Sequence, residues 1–283
     1  MPPLLSVTLP LTPSINAQYY THEGHHVLTP WSRRYRAAVE QRIRHLEWQG
    51  QIDSARAQRG YLALFLRYYF ETPLRRDLDS GLKITQDAIT TGLGVDDARV
   101  VDVHLVKQID PRNPRVEVDV ELIDAWDWHA EPDVPWCPIA LTLPLPPSIN
   151  DQYVIVRGRR HRSAELRRFR KAVDGIVRAA GAPEQIPPAL RQSGKPGYLS
   201  VFADFYFARR QRRDVDSGLK ALLDAVCAPL AVNDARVVDI HITRRVDDAR
   251  PRTEMQLDVL ADWAFDQQYK TSLPHGASGG GFA

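Results

Sequence analysis

The stretch Arg75-Arg76-Asp77-Leu78-Asp79-Ser80-Gly81-Leu82-Lys83 occurs a second time in this chain as Arg212-Arg213-Asp214-Val215-Asp216-Ser217-Gly218-Leu219-Lys220. The two copies differ only by an exchange of Leu for Val. Both therefore keep the same two aspartates and the same lysine at the same spacing.

The repetition extends far beyond this motif. An offset of 137 positions also relates Asp97 to Asp234, Asp102 to Asp239 and Trp126 to Trp263. Further upstream an offset of 134 relates Pro13 to Pro147 and Tyr19 to Tyr153. A period of this size is that of a domain rather than of a solenoid repeat, so the chain contains one domain written twice.

Within each copy, strand patterns alternate with helix patterns. Strands are predicted at 4–9, 61–70, 99–109 and 116–123, and at 139–143, 198–207, 236–246 and 253–260. Helices are predicted at 31–48, at 164–180 and directly after each acidic motif, with Ser32, Ser163, Ser80 and Ser217 as N-caps. The fold class is α+β: two tandem homologous domains, each a small mixed or antiparallel sheet packed with about two helices.

The domain boundaries follow from the same alignment. We predict one domain at 1–126, a linker at 127–137, a second domain at 138–263 and a disordered tail at 264–283, which is rich in glycine and serine near its end. Trp126 is expected to pack on its own domain.

Composition excludes several classes of protein. Cys137 and Cys227 occupy non-equivalent places in the repeat, which disfavours a disulfide framework and a thiolate metal site. A long apolar run and a leader are both missing from the sequence, so we expect a cytoplasmic protein with no membrane partner. Residues 1–137 carry 15 basic and 19 acidic side chains and the remainder 22 and 16, so a polyanion would favour the second half.

The acidic motif suggests a metal site. In an extended segment, residues i and i+2 point to one side, so Asp77 with Asp79, and Asp214 with Asp216, can converge on one cation. Asp97 and Asp234 are the shared carboxylates of the next motif and supply a third ligand to their own copy. Oxygen ligands of this kind select Mg²⁺, for which Mn²⁺ can substitute. The alternative is that Asp-x-Asp-Ser-Gly only caps a helix and fills a turn.

A lysine follows each acidic pair by four residues. Lys83 and Lys220 can hold a phosphate oxygen, which indicates a phosphoryl substrate and hydrolysis. Asp87 and Asp224, four residues further on, are explained equally well as helix partners of the lysine, and Asp102 and Asp239 as solvent-facing strand residues. These four are left out of the predicted ligand set.

Together these motifs resemble the RusA-type Holliday junction resolvases, which are magnesium-dependent endonucleases that act as homodimers on four-way DNA junctions. The resemblance rests on the Pro-Ser-x-Asn-x-x-Tyr loop, the Arg-Arg-Asp-x-Asp-x-x-x-x-Lys core and the Asp-Ala-x-Val-Val-Asp segment, each present twice. It implies that the six aspartates are catalytic metal ligands and that both lysines are essential. The fusion departs from the family, whose dimers place the two sites in separate subunits. Our hypothesis is that the fused copies form an intramolecular pseudo-dimer and act as a monomer on branched DNA. Family members usually carry Asn where this chain has Ser80 and Ser217.

Recognition of the DNA is expected to depend mainly on phosphate contacts. The candidate DNA-binding residues are Asn16, Tyr19, Arg33, Arg34, Arg75, Arg76, Asn150, Tyr153, Arg157, Arg159, Arg160, Arg167, Arg168, Arg212 and Arg213. For the arginines the alternative is a solvated surface. The rival functions are a junction-binding protein that does not cleave and a magnesium-dependent phosphatase of the Asp-x-Asp type.

Overall fold

The structure is a computed structural model that describes residues 3–13, 15–22, 25–130, 137–156, 159–192, 195, 197–209 and 213–266. Its strands are β1 Leu5–Pro10, β2 Tyr19–His22, β3 His25–Leu28, β4 Tyr61–Phe70, β5 Val100–Ile109, β6 Arg115–Ile123, β7 Ile139–Leu143, β8 Tyr153–Val156, β9 Arg159–Arg162, β10 Tyr198–Phe207, β11 Val237–Val246 and β12 Arg252–Leu260. Its helices are α1 Ile15–Gln18, α2 Pro30–Trp48, α3 Ser54–Ala57, α4 Leu82–Leu93, α5 Ala164–Ala179, α6 Ala182–Gln185 and α7 Leu219–Leu230. The α+β class is confirmed, whereas the hairpins β2–β3 and β8–β9 were not predicted.

One continuous sheet of eight strands joins the two repeats. The strand order is β1-β6-β4-β5-β11-β10-β12-β7, which is palindromic because equivalent strands occupy mirrored places. β4 pairs with β5 in parallel, as β10 does with β11, and β5 pairs with β11 antiparallel at the centre. The two small sheets expected for separate domains are therefore two halves of one sheet.

The long elements form because their apolar periods match their geometry. Alternate residues of β4 are buried, the pattern of a strand with one covered face. In α2 the buried residues Tyr35, Val39, Ile43 and Leu46 recur at helical spacing. The helices α2 and α5 pack on α4 and α7 respectively, and one apolar core runs through both repeats.

The helix caps differ from those predicted. Thr29, not Ser32, caps α2, whereas Ser163 caps α5 as expected. Ser80 and Ser217 do not cap α4 and α7: the N-cap positions are Gly81 and Gly218, and neither has a side-chain cap. A 3₁₀ turn at Leu78–Gly81 precedes α4, which places the serine one residue too early to cap the helix.

The C-terminal caps of α4 and α7 have the same left-handed backbone conformation but different residues. α4 ends at Gly94 with φ of 66°, in the left-handed region that glycine adopts without strain. The equivalent residue after α7 is Ala231, with φ of 56°. An alanine there carries a steric cost that the first repeat avoids.

The expectation that Trp126 packs on its own domain is wrong. Trp126 Nε1 donates to the carbonyl of Arg244 and Trp263 Nε1 donates to that of Lys107, each at 2.8 Å and each in the other repeat. The antiparallel pairing of β5 with β11 brings the end of each repeat beside the central strand of the other. Within the predicted linker, Trp128 also packs edge-on against Tyr61.

The predicted tail begins too early. Phe265 is fully buried against Tyr198, whose hydroxyl donates to Asp266. The packed part of the chain thus includes 264–266, and the rest of the predicted tail, 267–283, lies outside the described residues.

At the centre of the sheet, Asp102 and Asp239 do not simply face solvent. Asp239 pairs with His104 Nε2 at 2.7 Å, and Asp102 pairs with His241 Nε2 at 2.8 Å, each across the repeat junction. These two histidine–aspartate pairs fasten one repeat to the other. Cys137 and Cys227 are free, as expected, and within the described part of the chain we find no helix able to cross a membrane.

Candidate active site

The structure assembles two clusters of acids around a lysine, and each cluster draws on both repeats. The first, here called cluster A, contains Asp77 and Asp79 of the first repeat with Lys220, Asp224 and Asp234 of the second. Cluster B contains Asp214 and Asp216 of the second repeat with Lys83, Asp87 and Asp97 of the first.

The distances define cluster A. Lys220 Nζ lies 3.0 Å from Asp77, 3.0 Å from Asp224 and 2.6 Å from Asp234. In cluster B, Lys83 Nζ lies 2.8 Å from Asp87, 3.3 Å from Asp214 and 3.6 Å from Asp97. The acid that joins Asp77 and Asp79 in the structure is thus Asp234, whereas Asp97 was predicted there.

This exchange corrects the predicted grouping of acids by repeat. The eight predicted acids and lysines do gather in two places, but each place takes its acidic turn from one repeat and its helix lysine from the other. The cause is the central pairing of β5 with β11, which turns each repeat towards its copy. Asp87 and Asp224, left out of the predicted set, belong to the clusters.

The geometry of the acidic pair also differs from the prediction. Asp77 is extended, but Asp79 lies inside the 3₁₀ turn rather than in a strand. As a result Asp79 is buried and Asp77 remains partly exposed, and the same holds for Asp216 and Asp214.

Burial sets the electrostatics of the clusters. It raises the pKa of both Asp79 and Asp216 to about 7, although the facing lysine of the other repeat acts to lower it. Burial alone acts to lower the pKa of Lys83, but Asp216, Asp87 and Asp214 raise it above its usual range. Each lysine therefore stays charged and offsets the repulsion among its carboxylates.

Two further cations support the clusters. Lys107 is completely buried, and its Nζ donates to the carbonyls of Pro73, Arg76 and Ala235. Burial lowers its pKa to about 8, against the opposing charges of Asp77, Asp79 and Asp234. The equivalent Arg244 donates to the carbonyl of Ala98. Lys107 and Arg244 are related by the offset of 137 positions, but identity between the copies does not reveal them because one is a lysine and the other an arginine.

A buried glutamine joins the first loop to the acidic turn. Gln18 Nε2 donates to the carbonyls of Pro13 and Ser80, both at 3.0 Å. Its equivalent Gln152 donates to Pro147. A Cβ on Gly81 would collide with Thr12, so only glycine lets this loop approach the turn so closely. The Pro-Ser-x-Asn-x-x-Tyr loop thereby buttresses the acids.

Three of the predicted DNA-binding arginines donate to backbone carbonyls, and of these Arg167, which donates to that of Arg162, is still exposed. Arg76 donates to the carbonyl of Thr12 and covers the ring of Phe70. Arg213 makes the corresponding contacts to Pro146 and Phe207. Since both guanidinium groups are partly buried and bonded to the first loop of their own repeat, we do not assign these two arginines to a DNA surface.

The other predicted DNA-binding residues are placed as follows. Arg33, Arg34, Arg75, Asn150, Arg167 and Arg168 are exposed. Tyr19 lies near cluster B, where burial and then Asp87 raise its pKa, and Tyr153 is partly buried. Arg157 and Arg212 lie outside the described residues, as do the side chains of Asn16, Arg159 and Arg160.

A cleft separates the two clusters and is lined by both. Its walls are Asp79, Leu82, Lys83, Ile149, Gln152, Asp216, Ser217, Leu219 and Lys220. In the described part of the chain, no group of three His, Cys, Asp or Glu side chains has the spacing of a formed metal site. A lysine ammonium lies among the carboxylates of each cluster. Twin acid–lysine centres of this type, facing one cleft, suit a hydrolase that acts on a phosphodiester.

Comparison with known proteins places the chain in a family. The model of the family "Endodeoxyribonuclease RusA" matches twice, at residues 9–121 and 144–258. The chain belongs to this family of endodeoxyribonucleases and contains two copies of its domain, which confirms the resemblance drawn from the motifs.

Individual relatives agree. The chain is 33% identical over 124 residues to the crossover junction endodeoxyribonuclease RusA of Escherichia coli strain K12, covering 44% of this chain and 96% of the relative. The same identity and coverage hold for the protein of that name from Shigella sonnei. The protein from Enterobacteria phage 82 is 32% identical over 123 residues, which is 43% of this chain and 95% of the relative. Each relative is thus about the length of one repeat.

Proposed function

We propose that this chain resolves four-way DNA junctions by hydrolysing two phosphodiesters, one at each cluster. The observation that carries the proposal is that two equivalent acid–lysine clusters face one cleft, in a chain of the RusA family. Resolution of a junction needs two cuts in opposing strands, and two centres in one molecule provide both.

A divalent cation is part of the proposal. The donors of each cluster are carboxylate oxygens, the ligands preferred by Mg²⁺ and Mn²⁺. Among the described residues, Asp79 Oδ1 is buried without a hydrogen-bond partner, which a cation would satisfy. The donor chemistry thus fits the group, although the carboxylates must draw closer together around the ion than they lie here. Asp77, Asp79 and Asp234 would hold it in cluster A, and Asp214, Asp216 and Asp97 in cluster B.

The cation, when bound, would supply a Lewis acid that lowers the pKa of water and stabilises charge on the phosphate. The protein side chains do the rest. Lys83 and Lys220 stay protonated and can bind a non-bridging oxygen of the scissile phosphate, stabilising the negative charge that develops there. Asp87 and Asp224 orient these ammonium groups from one turn further along the same helix.

The DNA is held by phosphate contacts beyond the cleft. The exposed Arg33, Arg34 and Arg75 of the first repeat and Arg167 and Arg168 of the second are the proposed contacts. Their charge offsets the repulsion between DNA and the acidic clusters, so binding is expected to weaken steeply with salt.

The monomer is the proposed active unit. Each cluster is completed by the other repeat of the same chain, so the two halves already supply what two subunits would. Covalent linkage replaces association by a high effective concentration. Cleavage per molecule of protein is expected to be independent of protein concentration in the monomer range. Activity that rises with the square of the concentration would instead favour a dimer of fused chains.

The experiment compares a synthetic four-way junction, a linear duplex and a phosphomonoester, each with and without Mg²⁺. We expect paired cuts only in the junction and only with the metal. Binding of the junction without cleavage would favour a binding protein, and release of phosphate from the monoester would favour a phosphatase.

The matched control is Asp79→Asn combined with Asp216→Asn. Both residues are buried, and the exchange keeps the size of each side chain. The double variant should bind the junction and leave it uncut. Persistent cutting would place the chemistry outside these clusters.

A further inference from the structure

The two clusters share their acids and lysines but not their buried surroundings. On α4, Thr85 and Gln86 are fully buried polar residues. The equivalent residues of α7 are Leu222 and Leu223, which are buried as well. The duplication has therefore preserved the acids while one helix became apolar where the other is polar.

Gln86 points at one of the catalytic acids. Its Nε2 donates to Asp216 Oδ1 of cluster B at 3.4 Å. In cluster A, Leu223 stands at the equivalent position of the helix, and a leucine side chain has no donor. Correspondingly, Asp79 Oδ1 is buried without a hydrogen-bond partner among the described residues.

A purely structural explanation for Gln86 is weaker. Its neighbour Thr85 takes part in a buried network with the hydroxyls of Tyr35 and Tyr68. The Gln86 side chain is not in that network: within the described residues its hydrogen bond goes to Asp216, and its Oε1 has no partner. A buried amide that is only partly satisfied destabilises the fold, so packing alone does not account for it.

We propose that Gln86 is a positioning residue for the Asp216 carboxylate, and that the two cation sites are consequently inequivalent, cluster B binding the divalent ion more tightly than cluster A. The proposal rests on the proposed function, since it concerns the same clusters. A donor on one carboxylate oxygen fixes the orientation of the group before the ion arrives. Asp79 must be ordered by the ion itself.

The expected difference follows from such orienting contacts in general. Loss of a residue that orients a metal ligand costs about 10- to 100-fold in metal affinity. We therefore expect cluster B to bind the ion about 10-fold more tightly than cluster A, the lower end being appropriate for a hydrogen bond as long as this one.

The test uses Mn²⁺ alone as the probe, with the full chain, no DNA, and isothermal titration calorimetry. Asp79→Asn leaves cluster B to be measured, and Asp216→Asn leaves cluster A. We expect Mn²⁺ to bind about 10-fold more tightly to Asp79→Asn than to Asp216→Asn. Adding Gln86→Leu to Asp79→Asn should remove that advantage, and adding it to Asp216→Asn should change nothing.

The reciprocal change keeps the proposal testable if Gln86→Leu does not fold. Leu223→Gln in the Asp216→Asn background should tighten Mn²⁺ binding, and Gln86→Met, which keeps the length and volume of the side chain, should act like Gln86→Leu. A merely structural role would predict equal weakening of both clusters by Gln86→Leu.

Equal Mn²⁺ affinities in the two single-cluster variants, or equal weakening of both by Gln86→Leu, would overturn the proposal. These outcomes are separable from failure of the proposed function. Junction cutting by the unmodified chain together with equal affinities removes only the inequivalence, whereas no Mn²⁺ binding and no cutting removes both.

Discussion

The exchange of lysines between repeats leads to a test that distinguishes it from two self-contained sites. Lys220→Ala removes an ammonium that lies 2.6–3.0 Å from three carboxylates of cluster A. Lys83 keeps its own contacts in cluster B, so that cluster is untouched. The variant should therefore lose one cut and keep the other.

The magnitude follows from this geometry. Removing one group that stabilises the developing charge costs about 10²- to 10³-fold in rate, or about 3–4 kcal/mol. The first nick should slow only to about half, because one of two independent centres remains. Paired cutting needs both centres and should fall by about 100-fold or more.

Double variants make the test decisive. Lys220→Ala with Asp79→Asn places both changes in cluster A, so it should behave like either single variant and still nick. Lys220→Ala with Asp216→Asn damages both clusters and should abolish nicking. If each repeat worked alone, Lys220→Ala with Asp216→Asn would still nick and Lys220→Ala with Asp79→Asn would be inactive.

The assay is single-turnover cleavage of a supercoiled plasmid that extrudes a cruciform. Two cuts in one encounter give linear DNA, and one cut gives a nicked circle, so the orientation of the bound chain does not matter. Nicking by Lys220→Ala with Asp216→Asn, combined with an inactive Lys220→Ala with Asp79→Asn, would refute the composite clusters.

Three predictions concern stability. The pKa of Asp79 is about 7 in the folded protein and about 3.9 in the unfolded chain, so ionisation of Asp79 removes stability as the pH rises through this window. Asp79→Asn should therefore stabilise the protein in EDTA by about 4 kcal/mol at pH 8 and by less at pH 5, measured by urea denaturation. Both Ala231 and Gly94 have left-handed backbone conformations. In the same assay, Ala231→Gly should stabilise the protein by about 0.5–1 kcal/mol and Gly94→Ala should destabilise it by about 1 kcal/mol. Destabilisation by Ala231→Gly and stabilisation by Gly94→Ala would exclude backbone strain at Ala231. Burial acts to lower the pKa of His241, but Asp102 raises it overall. The ion pair therefore contributes its full stability below a pH of about 6.5 and loses this contribution as the pH rises through the folded pKa. Asp102→Asn should destabilise the protein more at pH 6 than at pH 9, and a loss of stability that is independent of pH would contradict this.

Much of the local structure could be predicted from the sequence. The strand pattern of 61–70 and the helical spacing of 164–180 are periodic in the residues themselves, and the structure has β4 and α5 there. The acidic motif could also be recognised from the sequence, because it occurs twice. Caps were less predictable: Ser80 has a good capping side chain but lies one residue too early, and the close approach of Thr12 places a glycine at the N-cap.

Contacts between the two repeats could not be predicted from sequence periodicity. The histidine partner of Asp102, the carbonyl that accepts from Trp126 and the acid that Gln86 touches all lie in the other copy, more than 100 residues away. Spacing along the chain carries no information about which distant strand a residue will meet.

By itself the sequence determined that there are two copies, that each brings an acidic turn and a lysine, and that the family is that of RusA. Only the tertiary structure decided that Lys220 serves Asp79 and that Lys83 serves Asp216. The physical reason is that the two copies carry the same motif, so either lysine suits either acidic turn. The antiparallel pairing of β5 with β11 joins the two repeats in the arrangement in which each turn receives the lysine of the other copy.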